Sequence, residues 1–195
     1  MQRGRAVMFI DNSNIFQNLK LVRPGYRIDY KKLHKKIEEG GEIWETYFFA
    51  AEREGAPRET QTAFFEVLRR ELNYNIVLAG LKVKTVTCRF CGQTHEAYIE
   101  KGVDVGLATR LLSLLYSNAF DTAIVVSGDG DYVEVVREVR RLGRKVQIVS
   151  FRESLSKELA NLSSSDPIYL DDIANEIELE REYYPSYGEM DNNPT

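Results

Sequence analysis

The stretch Ala123-Ile124-Val125-Val126-Ser127-Gly128-Asp129-Gly130-Asp131 decides how this chain is read. A continuous apolar run is the mark of a strand covered on both faces. Two carboxylates separated by a glycine stand where that strand ends. Far upstream, Val7-Met8-Phe9-Ile10 runs into Asp11 in the same way. In open parallel sheets, ligands bind outside the carboxyl ends of the strands, at the point where the winding reverses. Two such strands side by side bring Asp11 and Asp129 to one edge. Several ionised carboxylates do not crowd together without a cation or shared protons. The pattern therefore points to a divalent metal site and to metal-assisted chemistry on phosphates.

Working outward, strand and helix signals alternate. Asp29 caps a helix expected over 30–38, and Gly40-Gly41 stops it. Residues 43–51 read as an aromatic-rich strand. Pro57 opens a helix over 58–72, and 75–79 is a further strand. Residues 81–87 and 95–100 flank the turn Cys88-Arg89-Phe90-Cys91-Gly92 and read as a hairpin insertion over about 81–100. An apolar helix is expected over 103–116, a strand over 122–126 and a helix over 132–142. A strand over 145–151, a helix over 155–162 and a short edge strand over 168–170 complete the pattern. Such alternation predicts a three-layer α/β sandwich with a mostly parallel, Rossmann-like sheet and helices on both faces. The expected division is one domain over 1–170 and an acidic C-terminal helix and tail over 171–195.

With 195 residues, 43% hydrophobic and 29% charged, the chain has the composition of an ordinary globular domain. Its longest apolar stretches are strand-length, so no membrane partner is expected. The start, Met1-Gln2-Arg3-Gly4-Arg5, leads into a strand rather than a cleavable signal. With two closely spaced cysteines, this favours the cytoplasm. The net charge of −4 is unevenly spread. Residues 171–195 hold eight acidic side chains against one basic, while the other 170 carry 25 Lys+Arg against 22 Asp+Glu. A mildly basic body is compatible with a polyanion only where basic residues gather. Arg137, Arg140, Arg141, Arg144 and Lys145 form one such group, and Lys31, Lys32, Lys35 and Lys36 another. Arg137 and Arg141 are candidate contacts to such a polyanion, although such runs also serve as plain solvated helix faces. Lys101 is a further candidate, close in sequence to Asp104.

Each acidic position also has a modest explanation. Asp11, followed by Asn12-Ser13-Asn14, suits the start of a helix over 15–21. Asp131 suits a cap for the helix that follows it, but that leaves Asp129 and the flanking glycines unexplained. Gly128 and Gly130 permit backbone angles that let both carboxylates face one point. Asp104 favours a helix start through the dipole, yet its apolar neighbours place it near the core, where a lone charge is costly. The acidic series lacks the length of a calcium-binding loop, and Val133 stands where a dinucleotide fingerprint needs its third glycine.

Three stretches resemble the LabA-like branch of the NYN-domain family, within the PIN-like nucleases. They are Phe9-Ile10-Asp11-Asn12-Ser13-Asn14, Glu100-Lys101-Gly102-Val103-Asp104-Val105 and Val126-Ser127-Gly128-Asp129-Gly130-Asp131-Tyr132. The resemblance covers about residues 5–165. It implies an acidic pocket that holds Mg2+ or Mn2+ for RNA cleavage. Asp11, Asp104, Asp129 and Asp131 match its acidic positions, with Asp11, Asp104 and Asp129 as metal ligands. Asn12, Asn14 and Ser127 match its polar support positions. The chain departs at Thr109-Arg110, where a further acidic residue is expected, and this bears on the number of metals. Some members act as regulators, so a non-catalytic RNA- or protein-binding regulator stands as the alternative to a metal-dependent ribonuclease. A phosphohydrolase working through an aspartyl-phosphate requires Asp two residues after its nucleophile, and position 13 is Ser.

The cysteine turn is half of a zinc knuckle, with Cys88, Cys91 and His95 as three candidate ligands for a structural Zn2+. Glu96, His34 or the same turn of a second copy can supply a fourth, so a homodimer is allowed. Free thiols or a redox pair are the alternatives.

Overall fold

The computed structural model of the chain describes residues 3–52, 58–87, 90–100 and 102–180, with backbone alone at 52, 58–60, 81–84 and 95–100. Among these residues seven strands form one sheet: β1 (Ala6–Asp11), β2 (Ile43–Glu52), β3 (Asn75–Thr87), β4 (Thr94–Glu100), β5 (Thr122–Val126), β6 (Lys145–Ser150) and β7 (Ile168–Tyr169). Their spatial order is β4-β3-β2-β1-β5-β6-β7. All neighbours are parallel except β3 and β4. The winding reverses between β1 and β5, whose residues pair from Ala6↔Thr122 to Ile10↔Val126. The expected α/β sandwich is the one observed.

Among the described residues six α-helices cover the sheet: α1 (Asn12–Asn18), α2 (Tyr30–Glu38), α3 (Arg58–Leu72), α4 (Val103–Tyr116), α5 (Val133–Arg141) and α6 (Lys157–Leu162). The continuous apolar runs of β1 and β5 are buried along their whole length, because packing covers both faces. Alternate residues feed two cores. Met8, Ile10, Phe48, Ile124 and Val126 face one layer, with Ile15, Leu33, Ile37 and Phe65. Val7, Phe9, Tyr47, Phe49 and Val125 face the other, with Leu107, Leu111, Tyr132 and Val136. Arg3 closes α2 from below: its Nη1 donates to the Ile37 carbonyl at 2.6 Å and to that of Gly41 at 3.2 Å.

Several boundaries differ from the expected ones, each for a local reason. α1 begins at Asn12 rather than 15, because the Asp11 carboxylate already accepts from the Asn14 N–H. β3 is one strand through Gly80: its first part pairs with β2, and its second part with β4 from Leu81↔Glu100 to Thr87↔Thr94. The acidic segment from 171 forms turns rather than the expected helix within its described residues. There the chain is drawn out of helical pairing, since the Ile177 carbonyl accepts from Asp29 N and Leu179 N donates to the Arg27 carbonyl. Lys36 pairs with Glu176 at 2.8 Å and Lys32 with Glu180 at 2.7 Å, so this segment lies on the basic helix α2. Leu170, Ala174 and Ile177 are buried in the first core.

Candidate functional site

The sheet switch point places Asp11 and the loop after β5 side by side. Asp11 is buried, and three donors hold it. Its Oδ1 accepts from Asn14 N at 3.0 Å, and its Oδ2 from the Tyr132 hydroxyl at 2.9 Å and from Ser127 Oγ at 3.4 Å. The capping role and the site role thus fall on different oxygens of one carboxylate. Asn14 ties the second loop to the first, its Oδ1 accepting from Gly128 N at 3.1 Å. Ser127 Oγ also accepts from Asp129 N at 3.2 Å. Asp129, not Asp131, caps the single 3₁₀ turn over 130–132, its Oδ1 accepting from Asp131 N at 3.0 Å.

Gly128 serves by its size. A Cβ there lies 2.4 Å from Ser150 Oγ and 2.5 Å from the Ser154 carbonyl oxygen. Its φ, like that of Gly130, is not positive, which corrects the expectation that both glycines supply unusual backbone angles. At Gly130 the nearest atom to an added Cβ is Ser156 Oγ at 3.5 Å, an ordinary contact. Gly102 does carry such an angle: with φ 99° it turns the chain into α4 and puts Asp104 in the first turn.

Asp11, Asp104, Asp129 and Asp131 all line one cleft of about 190 Å³, with Ser13, Asn14, Gln17 and Val103. Asp104 is exposed at its wall, not drawn into the core, because Val103 and Leu107 take the buried face of α4. Among the described residues no ion pair reaches Asp104, Asp129 or Asp131. Nor do three His, Cys, Asp or Glu side chains there stand close enough to share a metal ion. An oxygen-only donor set suits Mg2+ or Mn2+. Mg2+ takes one or two carboxylates and keeps several waters, and that is the fit this spacing allows.

Tyr132 and Ser13 are site residues that the sequence reading did not single out. The Tyr132 hydroxyl is pushed far above the usual phenol range, first by burial, then by the charges of Asp11, Asp129 and Asp104. It therefore stays a neutral donor to Asp11. An aromatic directly after the acidic turn was the available signal: the 3₁₀ turn rotates that position inward.

Other expected residues lie elsewhere. Asn12 accepts from the Tyr30 hydroxyl at 2.6 Å and does not line the cleft. Arg137 pairs with Glu134 and Arg141 with Glu138, the latter at 2.6 Å, along the outer face of α5. The Arg141 guanidinium and the Tyr116 hydroxyl hold the Glu138 carboxyl down at about 2. Neither arginine lines the cleft. Lys101 and Cys88 lie outside the described residues, as does the His95 side chain, while Cys91 is exposed. His34 is engaged locally with Tyr74 at 3.1 Å and Glu38 at 3.4 Å. Among the described residues no helix is long and apolar enough to cross a membrane.

Comparison with known proteins agrees with this fold. A stretch of 91 residues is 30% identical to an uncharacterized protein, MJ0482, of Methanocaldococcus jannaschii, covering 46% of this chain and 36% of that protein. The chain thus spans about a third of that relative's length. A protein of unknown function from Vibrio parahaemolyticus, VPA0982, has a crystal structure with the same fold. The TM-score is 0.65 and the identity 20%, over 91% of this chain and 97% of that one. The NYN domain matches residues 5–171, which contain both strand tips, the start of α4 and the whole aspartate cleft. The chain belongs to the NYN-domain family, within the PIN-like nucleases.

Proposed function

We propose that this protein is a metal-dependent ribonuclease of the LabA-like branch, cleaving RNA phosphodiester bonds with Mg2+ or Mn2+. The observation that carries this reading is the convergence of four aspartates, from three segments far apart in the chain, on one cleft. When bound, the metal supplies a water of lowered pKa and offsets charge on the scissile phosphate. Asp11, Asp104 and Asp129 hold it, directly or through water. Tyr132 and Ser127 fix the Asp11 carboxylate, as hydrogen-bonded partners behind a metal ligand do. Asp131 orients the attacking water, and Ser13 and Gln17 offer hydrogen bonds to the substrate from the wall of α1.

A regulator that binds RNA or protein without turnover is the second reading. The wide spacing of the carboxylates is the observation that favours it. Cleavage of single-stranded RNA in Mn2+ separates the two. The wild type cleaves, and Asp11→Asn and Asp129→Asn lose at least 100-fold. Equal rates in all three proteins end the ribonuclease reading, and binding without cleavage by the wild type selects the regulator.

A further inference from the structure

A second, larger cleft of about 540 Å³ opens beside the same helix that carries Asp104. Arg110 of α4, Arg69 at the end of α3, Tyr47 of β2 and the pair Asn73 and Asn75 form its polar lining, with no carboxylate among the lining residues. The Arg110 guanidinium lies 5.2 Å from the centre of the Tyr47 ring. That ring is itself fixed from behind by stacking on Phe9 at 5.8 Å and through its hydroxyl, which donates to Glu45 at 2.9 Å. A guanidinium laid against an aromatic face keeps its N–H fork available. Among the described residues Arg110 forms no ion pair, and Arg69 has only an exposed 3.4 Å contact with Glu66.

The aspartate cleft repels a phosphate backbone until a cation is present, so affinity for a strand has to come from elsewhere. Of the arginines of α5, Arg137 and Arg141 are paired with glutamates of the same helix, and Arg140 donates to Ser164 Oγ. Arg110 stands six residues after Asp104 on α4, about 9 Å along the helix axis at ~1.5 Å per residue. That is about three stacked nucleotides at ~3.4 Å each.

We propose that the Arg69–Arg110 cleft holds a phosphodiester, and the nucleotide attached to it, of the same RNA strand whose scissile phosphate lies in the aspartate cleft. This rests on the ribonuclease reading and adds a place for the rest of the strand. Two guanidinium forks line this one cleft, and such forks match phosphate oxygens bidentately. The volume falls within the range of small-molecule sites, and Asn73 and Asn75 present amides, each both donor and acceptor, to a base edge.

The test uses the full chain in EDTA, so that binding is read without cleavage, and a single-stranded RNA long enough to reach both clefts. Log affinity is measured against log salt for the wild type, Arg69→Gln, Arg110→Gln, the double variant and Arg110→Lys. Each glutamine is expected to flatten the slope by about 0.7 per lost phosphate contact on a single strand, and the double variant by about 1.4. Arg110→Lys keeps the slope but binds more weakly. In Mn2+, Arg110→Gln raises KM more than it lowers kcat. An unchanged slope in the double variant overturns the proposal, even if melting temperature falls, since Arg110 then only packs on Tyr47. Arg110-dependent binding of inorganic phosphate, with strand affinity unchanged in Arg110→Gln, overturns it too. Failure of the ribonuclease reading shows separately, as full activity in Asp129→Asn.

Discussion

Replacing Gly128 by alanine places one methyl group against Ser150 Oγ at 2.4 Å, the Ser154 carbonyl oxygen at 2.5 Å and its carbon at 2.8 Å. Two of these atoms are backbone, so the strain cannot be relieved by a rotamer change alone. Overpacking of this kind costs typically 1–3 kcal/mol. Moving the loop away also stretches the bonds from Gly128 N to Asn14 Oδ1 and from Ser156 N to the Gly128 carbonyl, each worth about 1 kcal/mol. The expected loss is about 3 kcal/mol, a fall in melting temperature of about 6–12 °C for a domain of this size. Gly130→Ala is the control: its Cβ meets nothing closer than 3.5 Å, and its φ is not positive. It should be neutral or slightly stabilising. Urea denaturation of both variants measures the difference, and cleavage assays should show Gly128→Ala impaired as Asp129 is displaced. Equal stability of the two variants would refute the claim that close approach, rather than backbone angle, explains this glycine.

Tyr132→Phe removes a buried donor to a carboxylate, and should cost about 2 kcal/mol and slow cleavage through a misplaced Asp11. Wild-type stability and rate in that variant would argue against a positioning role. Burial pushes the Tyr26 hydroxyl up to about 12, and Tyr74 and Tyr132 higher still. Unfolded tyrosine titrates near 10, so the folded state holds the proton more tightly, and this stabilisation is intact below pH ~10 and lost as pH rises toward 12. Urea midpoints across that interval, alongside phenolate absorbance, should show unfolding preceding full ionisation. Ile177→Ala, at a fully buried position, should cost about 2–5 kcal/mol. Lys36→Ala, which removes an exposed pair with Glu176, should cost under about 1 kcal/mol. Comparable losses would mean that charge, not packing, holds the C-terminal segment down.

Most of the scaffold was legible because its signals are strong and local. The continuous apolar runs of β1 and β5 can only be strands buried on both faces, and the boundaries of α2 (Tyr30–Glu38), α3 (Arg58–Leu72) and α4 (Val103–Tyr116) follow from caps, glycines and apolar spacing. The meeting of Asp11 and Asp129 was legible too, since it follows from the switch-point rule once the two strands are neighbours. What was hidden depends on tertiary contact. The order Asp131-Tyr132 signals an aromatic after the turn, but not that its phenol reaches a residue 121 positions earlier. The reason for Gly128 lies in Ser150 and Ser154, which no local pattern connects to it. Asn12 and Asn14 look alike in sequence, but α1 points one at Tyr30 and the other at the Gly128 loop. Arg137 and Arg141 read as free cations until the helix register sets a glutamate one turn before each.

The family match stops at residue 171, yet the chain continues to supply the fold past that point, with Ile177 fully enclosed and Tyr26 donating to the carbonyl of Ala174. Anyone trimming the protein to its recognised borders would uncover a greasy socket on α2 and release its lysines. The shortened product should tend to self-associate and cling to polyanions for reasons unrelated to the aspartate cleft. A cut after residue 180 keeps that socket filled.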